Sequence, residues 1–142
     1  KFRARYAHAR LLGALLADCV SGLPDRPEVI IPVPLDSRRY RERQFNQSLE
    51  IARWVARQTG IPLDYSLCRR VRPTTAQARL SAKERRRNIR KAFSVTAPLP
   101  YRHVAILDDV VTTAATAGEL AITLRRAGAV TIDVWACART PL

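Results

Sequence analysis

The sequence lacks several features that would identify its class directly. It has no methionine, only three cysteines and few aromatic residues, and no apolar run approaches the roughly 20 residues of a membrane-spanning helix. Cys19, Cys68 and Cys137 form no CxxC pair, so the sequence predicts neither a zinc ribbon nor a disulfide framework. Residues 1–20 are too charged for a secretory signal. We therefore expect a cytoplasmic protein without a membrane span, either processed or a piece of a longer chain.

Size and composition favour one folded domain. Of the 142 residues, 47% are hydrophobic, and a chain of this length can bury a substantial core. We expect a single domain over 1–142, with a leading helix in 1–22 and a core over 28–138. The net charge of +13 comes mainly from arginine and would attract nucleic acid, an acidic membrane or phosphorylated small molecules. Composition alone does not choose among these partners.

Hydrophobic spacing predicts alternating helices and strands. Helices are expected over 4–20, 46–59, 81–93 and 117–127, and strands over 28–34, 65–71, 103–109 and 130–138. Ser81 and Glu84 have capping-box spacing, and the apolar settings of Trp54 and Trp135 predict core positions. Continuous apolar strands between helices indicate an α/β fold, with a mainly parallel central sheet covered by helices on both faces.

One stretch combines acids with small hydroxyl residues. Asp108 and Asp109 follow the apolar run 104–107, at the end of a predicted strand where α/β folds bind ligands. The segment TTAAT (112–116) then enters a helix, whose free N–H groups favour an anion. Carboxylates repel phosphate but accept hydrogen bonds from a vicinal diol. The stretch therefore suits a ribose 5-phosphate.

Other interpretations of these residues stay open. The two acids alone could form a solvated turn, and Thr116 could merely cap a helix with Glu119. The arginines at 85–87 could be a solvated helix face, and Asn46 with Gln47 could simply cap the helix that follows. Receiver domains also pair acids, but they place them early in the chain. Neither GxxxxGK nor GxGxxG occurs, which excludes Walker-type and dinucleotide-binding motifs.

The stretch VAILDDVVTTAAT (104–116) resembles the phosphoribosyl-pyrophosphate (PRPP) signature of type I phosphoribosyltransferases. One departure is Ala114, which stands where that signature has glycine. If the backbone there needs a positive φ, alanine is strained, and its methyl group would crowd the 5-phosphate. Reduced affinity or lost activity would follow.

Two further segments are similar to the ComF/GntX branch of these enzymes. In IIPVPLDSRRYRERQFNQSLEIAR, the matching residues are Arg43, Phe45, Asn46 and Gln47, while Gln44 replaces a glycine. In TTAQARLSAKERRRNIRKAF, they are Gln77, Leu80, Arg85, Asn88, Ala92 and Phe93. The similarity covers most of 28–138. Relatives often carry an N-terminal zinc ribbon, which this sequence lacks.

The resemblance implies a fold, an activity and a set of site residues. The fold is that of type I phosphoribosyltransferases, and the activity is transfer of ribose 5-phosphate from PRPP to a nitrogen acceptor, with Asp108 and Asp109 as the catalytic pair. Magnesium would be held mostly by the ligand and water near these two acids, not bound directly by the protein. The implied PRPP-binding residues are Asp108, Asp109, Val110, Val111, Thr112, Thr113, Ala114, Ala115 and Thr116. The implied pyrophosphate loop contains Pro34, Leu35, Asp36 and Arg43, and the implied flap contains Gln77, Arg85 and Asn88.

The alternative is a non-catalytic module that binds phosphate or nucleic acid in the processing of single-stranded DNA. The ComF branch is associated with DNA uptake, so single-stranded DNA and DNA-uptake or recombination proteins are the partners it implies. The net charge, the basic segment 69–91 and Ala114 favour this alternative. Aromatic residues are few and are not interleaved with the basic segment, which argues against base stacking.

Overall fold

The computed structural model describes residues 2–35, 45–72 and 81–140. These residues form four α-helices and five strands. The helices are α1 (Phe2–Ser21), α2 (Gln47–Thr59), α3 (Ala82–Ile89) and α4 (Ala115–Arg126). The strands are β1 (Val29–Pro32), β2 (Cys68–Arg70), β3 (Phe93–Val95), β4 (His103–Val111) and β5 (Thr131–Arg139).

The central sheet is parallel and has β4 in the middle. Its order is β1-β4-β5, with Val29 beside Val104 and Leu107 beside Trp135. Residues 62–64 run parallel to β1 on its other side, where the N–H of Ile30 donates to the carbonyl of Pro62 at 2.8 Å. The expected α/β architecture with a parallel sheet is therefore confirmed.

Two cores cover the two faces of the sheet. Because successive strand residues point to opposite faces, Val104 and Ile106 enter one core while Ala105 and Leu107 enter the other. The first core also contains Leu120 and Leu124 of α4, and the second contains apolar residues of α1 and α2. Helices thus lie on both faces, as predicted.

A separate antiparallel pair, β2 and β3, packs with α3 against the α4 side of the sheet. Cys68 pairs with Val95 and Arg70 with Phe93, and both Cys68 and Phe93 are buried in the first core. The sequence predicted a strand near β2 but not β3.

Local capping explains where α2 begins and ends and where α3 begins. Asn46 caps α2 through its side-chain oxygen, which accepts from Leu49 N at 3.3 Å, and Gly60 ends that helix with φ 70°. Ser81 and Glu84 form the predicted capping box at the start of α3. None of the described helices combines the length and apolarity needed to cross a lipid bilayer.

Helices α1 and α2 meet closely at Gly13. A Cβ atom at this glycine would lie 2.5 Å from the Cβ of Trp54, so only glycine allows this approach. Trp54 is half-buried, with the guanidinium groups of Arg10 and Arg57 at 5.2 and 5.7 Å from its ring. Trp135 is buried in the second core. The core prediction is thus confirmed for Trp135, whereas Trp54 lies at the edge.

Candidate functional site

A cleft of about 480 Å³ opens where the carboxyl end of β1, β4 and the start of α2 meet. Its position agrees with the rule that α/β sheets bind ligands beyond the carboxyl ends of their strands. The described residues that line it are Val33, Leu35, Phe45, Asn46, Gln47, Ser48, Arg70, Asp108, Asp109 and Thr116. The acid pair and the last residue of the TTAAT segment therefore share one cavity.

Strand β4 carries the acids further than expected. It continues to Val111, which pairs with Arg139 of β5, so Asp108 and Asp109 lie within the strand and not just at its end. The predicted strand boundary at 109 was therefore short by two residues. Pairing with β1 ends at Leu107, so at the acids the strand is paired on the β5 side alone, where Asp108 lies beside Ala136 and Val110 beside Ala138.

Asp108 is buried and held by two hydrogen bonds. Its Oδ1 accepts from the Ser48 hydroxyl at 3.1 Å and from the Asp109 backbone N–H at 3.0 Å. Burial raises the pKa of Asp108 to about 6, the negative charge of Asp109 adds to the rise, and the Ser48 hydrogen bond partly offsets it. Asp109 is more exposed. The two neighbouring carboxyl groups therefore differ in environment.

The loop after β4 forms a small enclosure beside Asp108. Residues 110–117 and Asp108 surround a cavity of about 30 Å³. Ala114 is the N-cap residue of α4, with φ 53° and no side-chain capping bond. The backbone at Ala114 therefore has a positive φ, and alanine carries the strain of a left-handed backbone. The first-turn N–H groups of α4 beyond Ala114 are of the kind that bind anions.

The alternative in which Thr116 and Glu119 form a capping box is wrong. Helix α4 begins at Ala115, two residues before the predicted start, which places Thr116 in the first turn and in the cleft wall. The carboxylate of Glu119 instead accepts the backbone N–H of Lys91 at 2.7 Å. Thr116 therefore does not cap the helix and lines the cleft.

The other predicted site residues divide into three groups. Leu35 lines the cleft, whereas neither Pro34 nor Asn88 is part of its described lining; the carbonyl of Asn88 accepts from Arg72 at 3.5 Å. Asp36, Arg43, Gln77 and the side chain of Arg85 lie outside the described residues. Asn46 caps α2, as one interpretation predicted, and it also lines the cleft.

Two polar residues of the cleft were not singled out from the sequence, although Arg70 is one of the arginines of residues 69–91 that the resemblance implied for the pyrophosphate. Ser48 contacts Asp108 from α2, and Arg70 reaches the cleft from β2 with its guanidinium 5.6 Å from the Phe93 ring. Ser48 directly follows the Phe45–Gln47 motif, and this position next to the motif is the feature of the sequence that could have identified it. Arg70 carried no individual signal within a segment rich in arginine.

Two curated proteins show clear sequence similarity to this chain. DNA utilization protein YhgH of Salmonella typhi is 44% identical over 136 residues, covering 94% of this chain and 60% of that protein. Competence protein F of Haemophilus influenzae is 42% identical over 116 residues, covering 80% of this chain and 51% of that protein. The chain thus spans between 51% and 60% of the length of these relatives. No protein-family model matches the chain.

Solved structures agree with the fold. Glutamine PRPP amidotransferase from B. subtilis has a TM-score of 0.62 at 22% identity, covering 93% of this chain and 26% of that one. Hypoxanthine phosphoribosyl transferase of Trypanosoma cruzi has a TM-score of 0.52 at 15% identity, covering 97% and 74%. Identities this low show the fold alone. The chain therefore has the type I phosphoribosyltransferase fold and is similar in sequence to the proteins named DNA utilization protein YhgH and competence protein F.

Proposed function

We propose that this domain binds PRPP with magnesium and transfers its ribose 5-phosphate to a nitrogen acceptor. The observation that carries the proposal is the placement of Asp108, Asp109 and Thr116 in one cleft, next to the start of α4. An acid pair beside a helix start offers one place for hydroxyls and another for a phosphate.

The start of α4 would bind the 5-phosphate. Its first-turn N–H groups and its dipole favour a dianion, and the hydroxyls of Thr112, Thr113 and Thr116 lie around the same enclosure. The loop of residues 110–117 beside Asp108 is therefore the proposed phosphate site.

The acid pair would accept hydrogen bonds from the ribose hydroxyls. A charged carboxylate makes the stronger bond, and with a pKa of about 6 Asp108 is mostly ionised at neutral pH. The pyrophosphate would extend toward the residues after β1, where Leu35 lines the cleft, and toward Arg70. Asp36, Arg43, Gln77, Arg85 and Asn88 stay predictions for this part of the ligand.

The donor set fits magnesium held mainly through the ligand. Mg²⁺ commonly binds through one or two carboxylates together with substrate phosphate oxygens and water. Asp108 and Asp109 are the nearby carboxylates. When bound, the ion would neutralise charge on the departing pyrophosphate.

The proposed reaction breaks one bond and forms one. The bond from the anomeric carbon to the pyrophosphate oxygen breaks with its electron pair on the pyrophosphate, and the acceptor nitrogen bonds to that carbon and loses a proton. Positive charge develops on the sugar ring between these events. The protein's part is to hold the phosphate and hydroxyls in place and to set the Asp108 and Asp109 carboxylates near the developing charge.

Calorimetric titration tests the proposal. PRPP added with magnesium to the folded protein should give saturable heat, whereas changing Asp108 and Asp109 together to asparagine should remove most of the affinity. Absence of heat at millimolar PRPP would contradict the proposal.

A second candidate function is nucleic-acid binding on a basic surface around β2 and α3. We define this basic surface by its exposed cationic residues, which are Arg69, Arg72, Lys83, Arg87, Arg90 and Lys91. The nearby acids Glu84 and Glu119 are already engaged in hydrogen bonds. The names of the relatives refer to DNA utilization and competence, so single-stranded DNA and the proteins of DNA uptake or recombination are the proposed partners, met in the cytoplasm. Binding should weaken steeply as salt is raised.

A further inference from the structure

Two polar side chains are buried among the described residues, and they bond to each other. Ser48 is 5% exposed and Asp108 is 9% exposed, with 3.1 Å between the Ser48 hydroxyl and Asp108 Oδ1. The two residues come from different elements, α2 and β4, and meet only in the fold. Burying polar groups costs stability even when they are paired, and such costs concentrate at functional positions. The pair lines the cleft, which indicates a role in ligand binding.

The backbone that carries Ser48 is tied to the segment after β1. Asn46, which caps α2, also donates from its side-chain nitrogen to the carbonyl of Val33 at 3.2 Å. This bond ties the start of α2 to the segment that follows β1. Ser48 lies in the first turn of the same helix, so both α2 and β1 fix its position.

The bonds to Asp108 fix the direction of its carboxylate. Oδ1 accepts from Ser48 and from the Asp109 backbone at 3.0 Å, and two donors on one oxygen restrict rotation about the last bond of the side chain. A carboxylate has about four acceptor positions, so acceptor positions remain on Asp108 for a ligand. Asp109 is more exposed. The fixed acceptor is thus Asp108.

We propose that Ser48 is a positioning residue that makes the cleft selective for ribose 5-phosphates over 2-deoxyribose 5-phosphates. The proposal rests on the proposed function, because it assigns the sugar hydroxyls to Asp108. A buried acceptor aimed at a hydroxyl is left unpaired by a sugar that lacks it, and sites of this kind reject such analogues strongly. Without Ser48 the carboxylate would turn toward other donors, and the penalty against the deoxy sugar would shrink.

The experiment compares two sugars and four proteins. Calorimetry with magnesium would measure the affinities of ribose 5-phosphate and 2-deoxyribose 5-phosphate for the wild type, Ser48→Ala, Ser48→Thr and Ser66→Ala. Ser66 is a matched control, because its hydroxyl donates to Asp64 Oδ1 at 3.0 Å on the exposed surface. We expect the wild type to prefer ribose 5-phosphate and Ser48→Ala to lose about tenfold of that preference. Ser48→Thr should keep most of the preference, and Ser66→Ala should keep all of it.

The ratio of the two affinities separates positioning from a structural role. If Ser48→Ala weakens both sugars equally, Ser48 is structural and the inference is wrong. If the wild type binds both sugars equally, the selectivity fails while the phosphate site stands. If the wild type binds neither these sugars nor PRPP, the proposed function fails and the inference with it. Should Ser48→Ala not fold, Ser48→Cys replaces it, since a thiol keeps the size and donates only weakly.

Discussion

The backbone N–H of Lys91 donates a 2.7 Å hydrogen bond to Oε1 of Glu119, joining the turn after α3 to helix α4. Lys91 has φ 56°, a left-handed conformation that costs a non-glycine residue about 1 kcal/mol or more. The bond to a charged acceptor offsets that cost. The end of the basic segment is thereby attached to the helix whose first turn lies at the cleft.

Replacing Glu119 should release this attachment. Glu119→Ala removes the acceptor, so we expect faster hydrogen exchange at the Lys91 amide and a loss of roughly 1 kcal/mol in the free energy of unfolding. Glu119→Gln keeps an acceptor oxygen and should stay close to the wild type in both measurements. Equal exchange in all three proteins would show that the bond contributes nothing.

Replacing Ala114 by glycine should increase both the stability of the protein and its affinity for PRPP. At φ 53° glycine has no Cβ penalty, so Ala114→Gly should raise the free energy of unfolding by about 0.5–1 kcal/mol in urea, and it should also strengthen PRPP binding. The matched control is Ala127→Gly at the other end of α4, where φ is −83° and glycine should destabilise by a similar amount. Equal destabilisation by both changes would contradict the strain at Ala114.

The charged form of Asp108 should lower the stability of the fold while it favours ligand binding. Because its folded-state pKa is about 6 against an ordinary value of 3.8, the folded protein takes up this proton first as pH falls. The free energy of unfolding should therefore decrease as pH rises from about 4 to about 6, by roughly 1–3 kcal/mol, and stay lower above that range.

The variant Asp108→Asn tests whether the charge of Asp108 lowers stability and supports PRPP binding. It keeps an acceptor for Ser48 but carries no charge, so it should be more stable than the wild type at neutral pH while losing PRPP affinity. Thermal unfolding across pH 4–8 provides the measurement. A variant less stable than the wild type at pH 7 would show that the charged form is not costly.

The basic surface should account for any binding of single-stranded DNA. Lys83→Gln with Arg87→Gln should weaken binding and lower the slope of log K against log salt by about 1.4, near 0.7 for each lost phosphate contact. The control is Arg125→Gln with Arg126→Gln, which removes the same charge from exposed positions at the end of α4. Fluorescence anisotropy with a labelled oligonucleotide measures both. If the two variants lose affinity equally, net charge and not this surface is responsible.

Patterns local in sequence were predicted well. The apolar run before Asp108, the Asn46 cap of α2 and the Ser81–Glu84 capping box each depend on neighbouring residues, and the structure contains all three. The acid pair was predicted at a strand end next to a helix start, and the structure places both acids in a cleft there, while the ligand stays a prediction.

Features that depend on distant residues were missed. Strand β3 has only three residues and takes its form from pairing with β2. The bond between Ser48 and Asp108 joins residues 60 positions apart. Helix α4 begins earlier than predicted, after Ala114, whose left-handed backbone conformation cannot be recognised from the side-chain pattern. Glu119 does not cap this helix because its carboxylate accepts the backbone N–H of Lys91.

The alternation along β4 has a consequence for how changes in this chain would be tolerated. Both faces of the strand are filled, by Val104 and Ile106 on one side and Ala105 and Leu107 on the other, so a slip of one residue would exchange the two sets. Inserting or deleting a single residue before Asp108 would thus exchange small and large side chains between the cores and shift the acids by about 3.3 Å along the sheet. The packing of these four aliphatic residues in the two cores therefore sets where the carboxylates lie along the strand.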